Sequence, residues 1–287
     1  MRKARRIEVR SRKLVSAAMA GEFQSVFRGT GIEFDSVREY VHGDDVRTID
    51  WNVTARAGRP HVKRFVESRE RSVMLVLDRS PSLEFGSADR TKAELAAELC
   101  AVLALVGRRN RDRVGLAQVT DRLETFLRPS VEPGQDHRVV TAIFGLERPA
   151  GRRLDLESAL DEVDRRLPRR AVAFVVSDFR DAVPVRALRR FARRHDVVAA
   201  RVSDPRERRL APGGVVRCVD PESGASFDLD TGSAAERAEF AARSDAWFEA
   251  QADALRRAGV ERVELSTDRD LVPPLLAMLE KRERRPR

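Results

Sequence analysis

The sequence predicts a mixed α/β fold, a mostly parallel sheet with helices on both faces. Three observations carry this. The runs "SVMLVLD", "AVAFVVSD" and "DVVAARVSD" have strand length and β-branched composition and are apolar on both faces, as strands of a covered parallel sheet must be. Segments of good helix formers separate them. Each run also ends in an acid, at Asp78, Asp178 and Asp204, and the carboxyl ends of such strands are where open α/β sheets bind ligands.

Taken in order, the first twenty residues suggest a basic helix with a modest apolar stripe. In "RTIDWNVTAR", Ile49, Trp51, Val53 and Ala55 alternate with polar residues, which predicts a half-buried strand between the turn signals "HGDDV" and "AGRP". "SVMLVLD" follows as a strand, then "TKAELAAELCAVLALVGRRN" as a helix capped by Thr91, strand "DRVGLAQVT" and edge strand "RLETFLRPS". Helices are expected at "DHRVVTAIFGL" and "DLESALDEVDRRL", then strand "AVAFVVSD", helix "VPVRALRRFARRH" and strand "DVVAARVSD". An excursion over about 205–257 holds a hairpin, "GVVRCVD" and "ASFDLD" around "PESG", and a long amphipathic helix. "VERVELSTD" and "LVPPLLAMLEKRE" close the chain as strand and helix. This organisation divides the sequence into an N-terminal helix and β-rich segment, 1–71, and an α/β domain, 72–287.

Composition narrows the function classes. The chain has 287 residues, 42% of them hydrophobic, enough for a substantial core. The longest apolar run, Leu99 to Val106, falls far short of the ~20 residues of a membrane span. The N-terminus lacks the apolar core of a signal peptide, so a cytoplasmic protein with no membrane span is expected. Cys100 and Cys218 lie far apart and are read as reduced core residues. The four histidines are scattered, unlike a zinc site. A net charge of +9 raises the possibility of a basic nucleic-acid-binding protein. Against it, aromatics are few, and the arginines come in pairs on helices, as in "LRRFARRH"; nucleic acid is the weaker reading.

The acids at the strand ends have a bland explanation, since an Asp there can cap the next turn. Asp78 differs because Ser80 and Ser82 follow at alternate positions. One carboxylate and two hydroxyls on a tight loop, facing Asp178 from a neighbouring strand, suit a hard cation such as Mg²⁺ or Mn²⁺. Asp-x-Ser-x-Ser after the first strand resembles the metal-ion-dependent adhesion site (MIDAS) of von Willebrand factor type A (vWA) domains. Together with "GTGIEFDSVREYVHGDDVRTIDWNVTAR", "VKRFVESRE", "SDF", "RRHDVVAARVSDPRE" and "DPESG", it resembles the bacterial family called domain of unknown function 58, across nearly the whole chain.

That resemblance implies a vWA-like (Rossmann-like) domain preceded by a small β-rich segment. It also implies a role as adaptor or cofactor of a MoxR-type AAA+ ATPase in a chaperone-like assembly, with the client unknown. Carried over, Ser80 and Ser82 would bind metal directly, Asp78 would bind through water or hold the loop, and Asp178 matches the third-motif aspartate. The family position for a ligating Thr is Leu154 here; Asp155 beside it could substitute or cap the following helix. Pro81 would stiffen the loop, and any Mg²⁺ affinity would be weak.

A second motif, "REYVHGDDVRTIDW", gathers Arg38, Asp44, Asp45, Arg47 and Asp50, with Trp51 and Arg56 beside them. It reads either as a partner-docking surface or as a structural network of bidentate Arg–Asp pairs with Trp51 in the core. No Walker-type loop or Gly-x-Ser-x-Gly elbow is present in the sequence. A non-catalytic binding module is therefore expected. The alternative is a metal-dependent phosphoester hydrolase using Asp78 and Asp178.

Overall fold

A computed structural model describes residues 32–41, 44–67, 71–145, 153–220 and 223–283. The expected N-terminal helix lies outside the described residues. The chain forms two compact units, one within Phe27–Arg71 and the other carrying Ser72–Arg287.

In the first unit, β1 (Ile32–Glu39) pairs antiparallel with a later strand, His61–Glu67, with a register shift between Phe34 and Ser36. The segment read as an alternating strand is instead α1, Trp51–Ala57. Its ends explain why. The Asp50 carboxylate accepts hydrogen bonds from the amides of Asn52 and Val53, satisfying two of the donors that a helix start leaves open. Gly58 closes the other end with φ 69°, a left-handed conformation that suits glycine. Local capping decides over alternation in so short a run. Trp51, expected in the core, is 70% exposed as the first residue of this helix. The second strand of the pair is β2.

The second unit is built on six strands: β3 (Ser72–Asp78), β4 (Arg113–Val119), β5 (Leu123–Ser130), β6 (Val172–Ser177), β7 (Asp196–Ser203) and a final strand, Glu261–Ser266. A separate hairpin, β8 (Val215–Val219) and β9 (Ser226–Asp230), precedes that final strand, which is β10. The sheet order is β10-β7-β6-β3-β4-β5, parallel throughout except that β5 runs antiparallel to β4. From β3 the chain winds outward one way through β4 and β5, then returns to β6 and winds the other way. The reversal falls between β3 and β6, the place where doubly wound sheets open a crevice at their strand ends.

Helices cover both faces, as parallel strands require. Between β3 and β4 lies α2 (Lys92–Arg109), opened by a capping box in which Thr91 and Glu94 bond each other's backbone amides. Next come α3 (Gln135–Gly145), α4 (Leu156–Arg166), α5 (Val185–Arg194), α6 (Ala234–Ala258) and α7 (Val272–Glu283). Met74 and Val76 of β3, Val175 of β6 and Ala199 of β7 join one core layer with Leu160 of α4, Phe191 of α5 and Leu255 of α6. The alternate residues Val73, Leu75 and Leu77 point to the other face, and α2 packs on β3, β4 and β7. The two margins of the sheet differ in dress. β5 carries Pro129 and is only half-buried, and β10 alternates Glu261, Val263 and Leu265 with exposed Arg262 and Glu264.

Both cysteines are free. Cys100 is a core residue of α2, and burial pushes its thiol up to about 12, partly opposed by the nearby Arg79 charge. Cys218, also expected in the core, is only half-buried. It sits on the β8–β9 hairpin, which exposes Val215, Val219 and Phe227 as well. A two-stranded ribbon has too little surface to bury its own side chains.

Candidate functional site at the strand ends

β3 and β6 are neighbours in register, so their last residues deliver Asp78 and Ser177–Asp178 to one place. Asp78 is 3% exposed. One of its oxygens accepts the Ser80 amide at 2.7 Å and the other the Ser177 hydroxyl at 2.6 Å. The first bond folds the loop back on the strand; the second ties it to β6. Ser177 in turn accepts the Phe179 amide at 3.0 Å, and Phe179 holds φ 52°, an uncommon conformation for a residue with a side chain. Pro81 opens a 3-10 turn, Pro81–Glu84, which turns Ser82 back so that its hydroxyl lies 3.1 Å from that of Ser80. Both hydroxyls are buried.

Burial and then the negative charge of Asp178 push the Asp78 carboxyl up to about 7, against hydrogen bonds from Ser177 and Ser80. Asp178 is differently placed. Its Oδ1 accepts the Arg180 amide at 3.2 Å, and its Oδ2 accepts the ammonium of Lys92 at 2.6 Å. Lys92 is fully buried, and its Nζ also donates to Glu207 Oε1 at 2.6 Å. Glu207 meets the Arg180 guanidinium at 3.3 Å and accepts the Asp204 amide with its other oxygen.

Asp204, the third strand-end acid, takes the capping role. It accepts from the Arg206 amide, from the amide and hydroxyl of Ser87, and from the Thr267 hydroxyl. Burial opposes its charge, but these hydrogen bonds hold the carboxyl below its ordinary range.

Asp155 caps α4 by accepting the Ser158 amide at 3.0 Å, and its own amide donates to Thr120. With Leu154, Phe179, Asp181 and Pro184 it lines a pocket of about 220 Å³ beside the loop. Asp155 therefore takes the capping one of its two expected roles. Among the described residues, no group of three or more His, Cys, Asp or Glu is arranged to hold a metal ion.

The donor set as placed does not fit a hard divalent cation. Leu154 brings no oxygen, both Asp78 oxygens are engaged, and Asp178 is already paired with an ammonium. The Ser80 and Ser82 hydroxyls, hydrogen-bonded to each other, are neutral, whereas such cations draw on several oxygens with carboxylate charge among them.

The second motif belongs to the first unit. Arg38 and Asp44 form a bidentate pair at 2.8 and 2.7 Å, and Asp44 also accepts the Val41 amide. The pair holds Asp44 below the usual carboxylate range. The Asp45 carbonyl accepts both the amide and the hydroxyl of Thr48, and Arg47 lies in the 3-10 turn Val46–Thr48. Asp50 caps α1, and Arg56 sits exposed in its last turn. Their contacts include an ion pair, a turn and a helix cap.

Lys92, Glu207, Ser177 and Arg180 are participants that sequence reasoning missed, and Lys92 is central among them. A signal was present: a lysine opens a helix whose next turns are apolar and acidic. The helix dipole disfavours a cation there, so something else had to hold it.

The doubly wound sheet with one reversed margin, and the Asp-x-Ser-x-Ser loop at its switch point, define an α/β module of the vWA type. The chain belongs to the family described as protein of unknown function DUF58, whose model matches residues 36–248. It is 33% identical over 284 residues to the uncharacterized protein Rv1480 of Mycobacterium tuberculosis, spanning 98% of this chain and 89% of that one. Two solved structures are similar at low identity. An aerotolerance-related membrane protein from Bacteroides fragilis matches at 13% identity and TM-score 0.48, covering 74% of this chain and 97% of that one. The SpRpn10 VWA domain matches at 11% and 0.39, covering 73% and 94%. Among the described residues, no helix is long and apolar enough to cross a membrane.

Proposed function

We propose that this protein is a non-catalytic protein-interaction module that acts as adaptor of a MoxR-type AAA+ ATPase in a chaperone-like assembly. The observation that carries the reading is the strand-end cluster itself. Its side chains are spent on one another: Asp78 on Ser80 and Ser177, Asp178 and Glu207 on Lys92, Asp204 on Ser87 and Thr267. A hydrolase needs a base or nucleophile left within reach of substrate, whereas a docking surface needs a rigid, pre-ordered rim. The ATPase as partner comes from the family resemblance, and the client stays unnamed.

The test uses the purified chain as bait, with Arg180→Glu beside it to reverse the charge at the exposed rim. A AAA+ ATPase is expected to be captured by the wild type and lost with the variant. Adding the wild-type chain is expected to change that ATPase's rate of ATP hydrolysis. Capture of no such ATPase, or an unchanged rate, would refute the adaptor role. Turnover of a phosphoester panel by the chain alone would replace it with the hydrolase reading.

A further inference from the structure

We propose that the ammonium of Lys92 is the resident cation of the strand-end cluster, so that this site receives its partner without a divalent metal. The inference rests on the reading of the site as a partner-binding surface. It adds which charge works there and what chemistry the partner brings.

Three features of the geometry support it. Lys92 is fully buried, with its Nζ 2.6 Å from both Asp178 Oδ2 and Glu207 Oε1. A buried ammonium is tolerated only when paired and hydrogen-bonded, and here two carboxylates from different loops converge on it. The residue is also fixed at its backbone, since the Lys92 amide donates to the Phe85 carbonyl at 2.9 Å, closing the 79–91 loop onto the start of α2. Finally, both carboxylates already face cations. Asp178 and Glu207 face Lys92 and Arg180. A dication placed against Asp178 would meet the ammonium at short range, where like charges repel strongly in a poorly solvated site.

What remains turned outward is Arg180, with 57% of its side chain exposed and one guanidinium nitrogen on Glu207. A guanidinium in that position can take a carboxylate in a two-point hydrogen bond. The partner chemistry is thus an acidic side chain on a protein segment, held by arginine where a MIDAS would hold it through metal.

The deciding experiment is titration of the wild-type chain with Mn²⁺, followed by electron paramagnetic resonance of the free ion. The expected result is binding weaker than about 1 mM, the weak limit of oxygen-donor cation sites. Tighter binding that is lost in Ser80→Ala would overturn the proposal. Lys92→Met takes the ammonium away from both carboxylates and is expected to tighten Mn²⁺ binding by at least about tenfold. A folded Lys92→Met chain with no gain would also overturn it. Should that variant fail to fold, Lys92→Met with Glu207→Gln still removes the ammonium and leaves Asp178; a smaller gain in the same direction is expected, and no gain would overturn the proposal. No ATPase enters these measurements, so the adaptor reading and this one can fail separately.

Discussion

Asp78 is a buried carboxyl bonded to both Ser80 and Ser177, and its position explains how the loop is held. Its carboxyl is raised to about 7 by burial and by Asp178, so between the unfolded value and 7 the folded chain holds a proton that the unfolded chain has released. Stability from this group is therefore present at low pH and is lost as pH rises through that interval. Asp78→Asn keeps the shape and can both accept from the Ser80 amide and bond the Ser177 hydroxyl, with no charge to bury. The stability of Asp78→Asn relative to wild type is expected to climb from pH 4 to about pH 8, reaching a difference on the order of a few kcal/mol. Thermal unfolding across that range checks it; a constant offset would show that Asp78 does not titrate there. Lys92 teaches the complementary lesson. Its partner Glu207 lies 115 residues further along the chain, and no local pattern announces such a meeting. Ser80, Ser82 and Asp178 were legible because their spacing and their strand ends are local facts.

At the scale of elements, helix starts decide more than composition does. Thr91 opens α2 with both halves of a capping box, and the same helix delivers Lys92 to the cluster. Thr91→Ala is expected to cost about 0.5–2 kcal/mol by urea denaturation. It is also expected to speed amide exchange in the first turn of α2 more than in the last. Equal change at both ends would mean that the cap does not position the lysine. The sheet strands and the helices of the second unit lie where periodicity and turn residues place them, because each sequence run has a single burial pattern that suits it. Trp51–Ala57 was not legible as a helix, since its seven residues alternate as a strand would. Only the Asp50 cap and the Gly58 stop distinguish the two, and both act through backbone geometry that alternation does not encode.

For the whole molecule, the reversed strand β5 depends on Gly115. A Cβ there would come 2.7 Å from both the Leu127 carbonyl oxygen and the Pro129 ring. Gly115→Ala is expected to push β5 outward and cost on the order of 1–3 kcal/mol, as overpacking does, with increased thioflavin binding on mild heating. An unchanged melting temperature and no dye signal would show that β5 tolerates the displacement. The reason for the dye is the state of the two sheet margins. Pro129 on β5 offers no amide donor, and β10 carries exposed Arg262 and Glu264, features that discourage an incoming strand. A sheet with such margins resists extension by another chain's backbone. On the proposed reading, a partner gripped by side chains at the loop end can be released by a change of charge without any strand having to be unzipped.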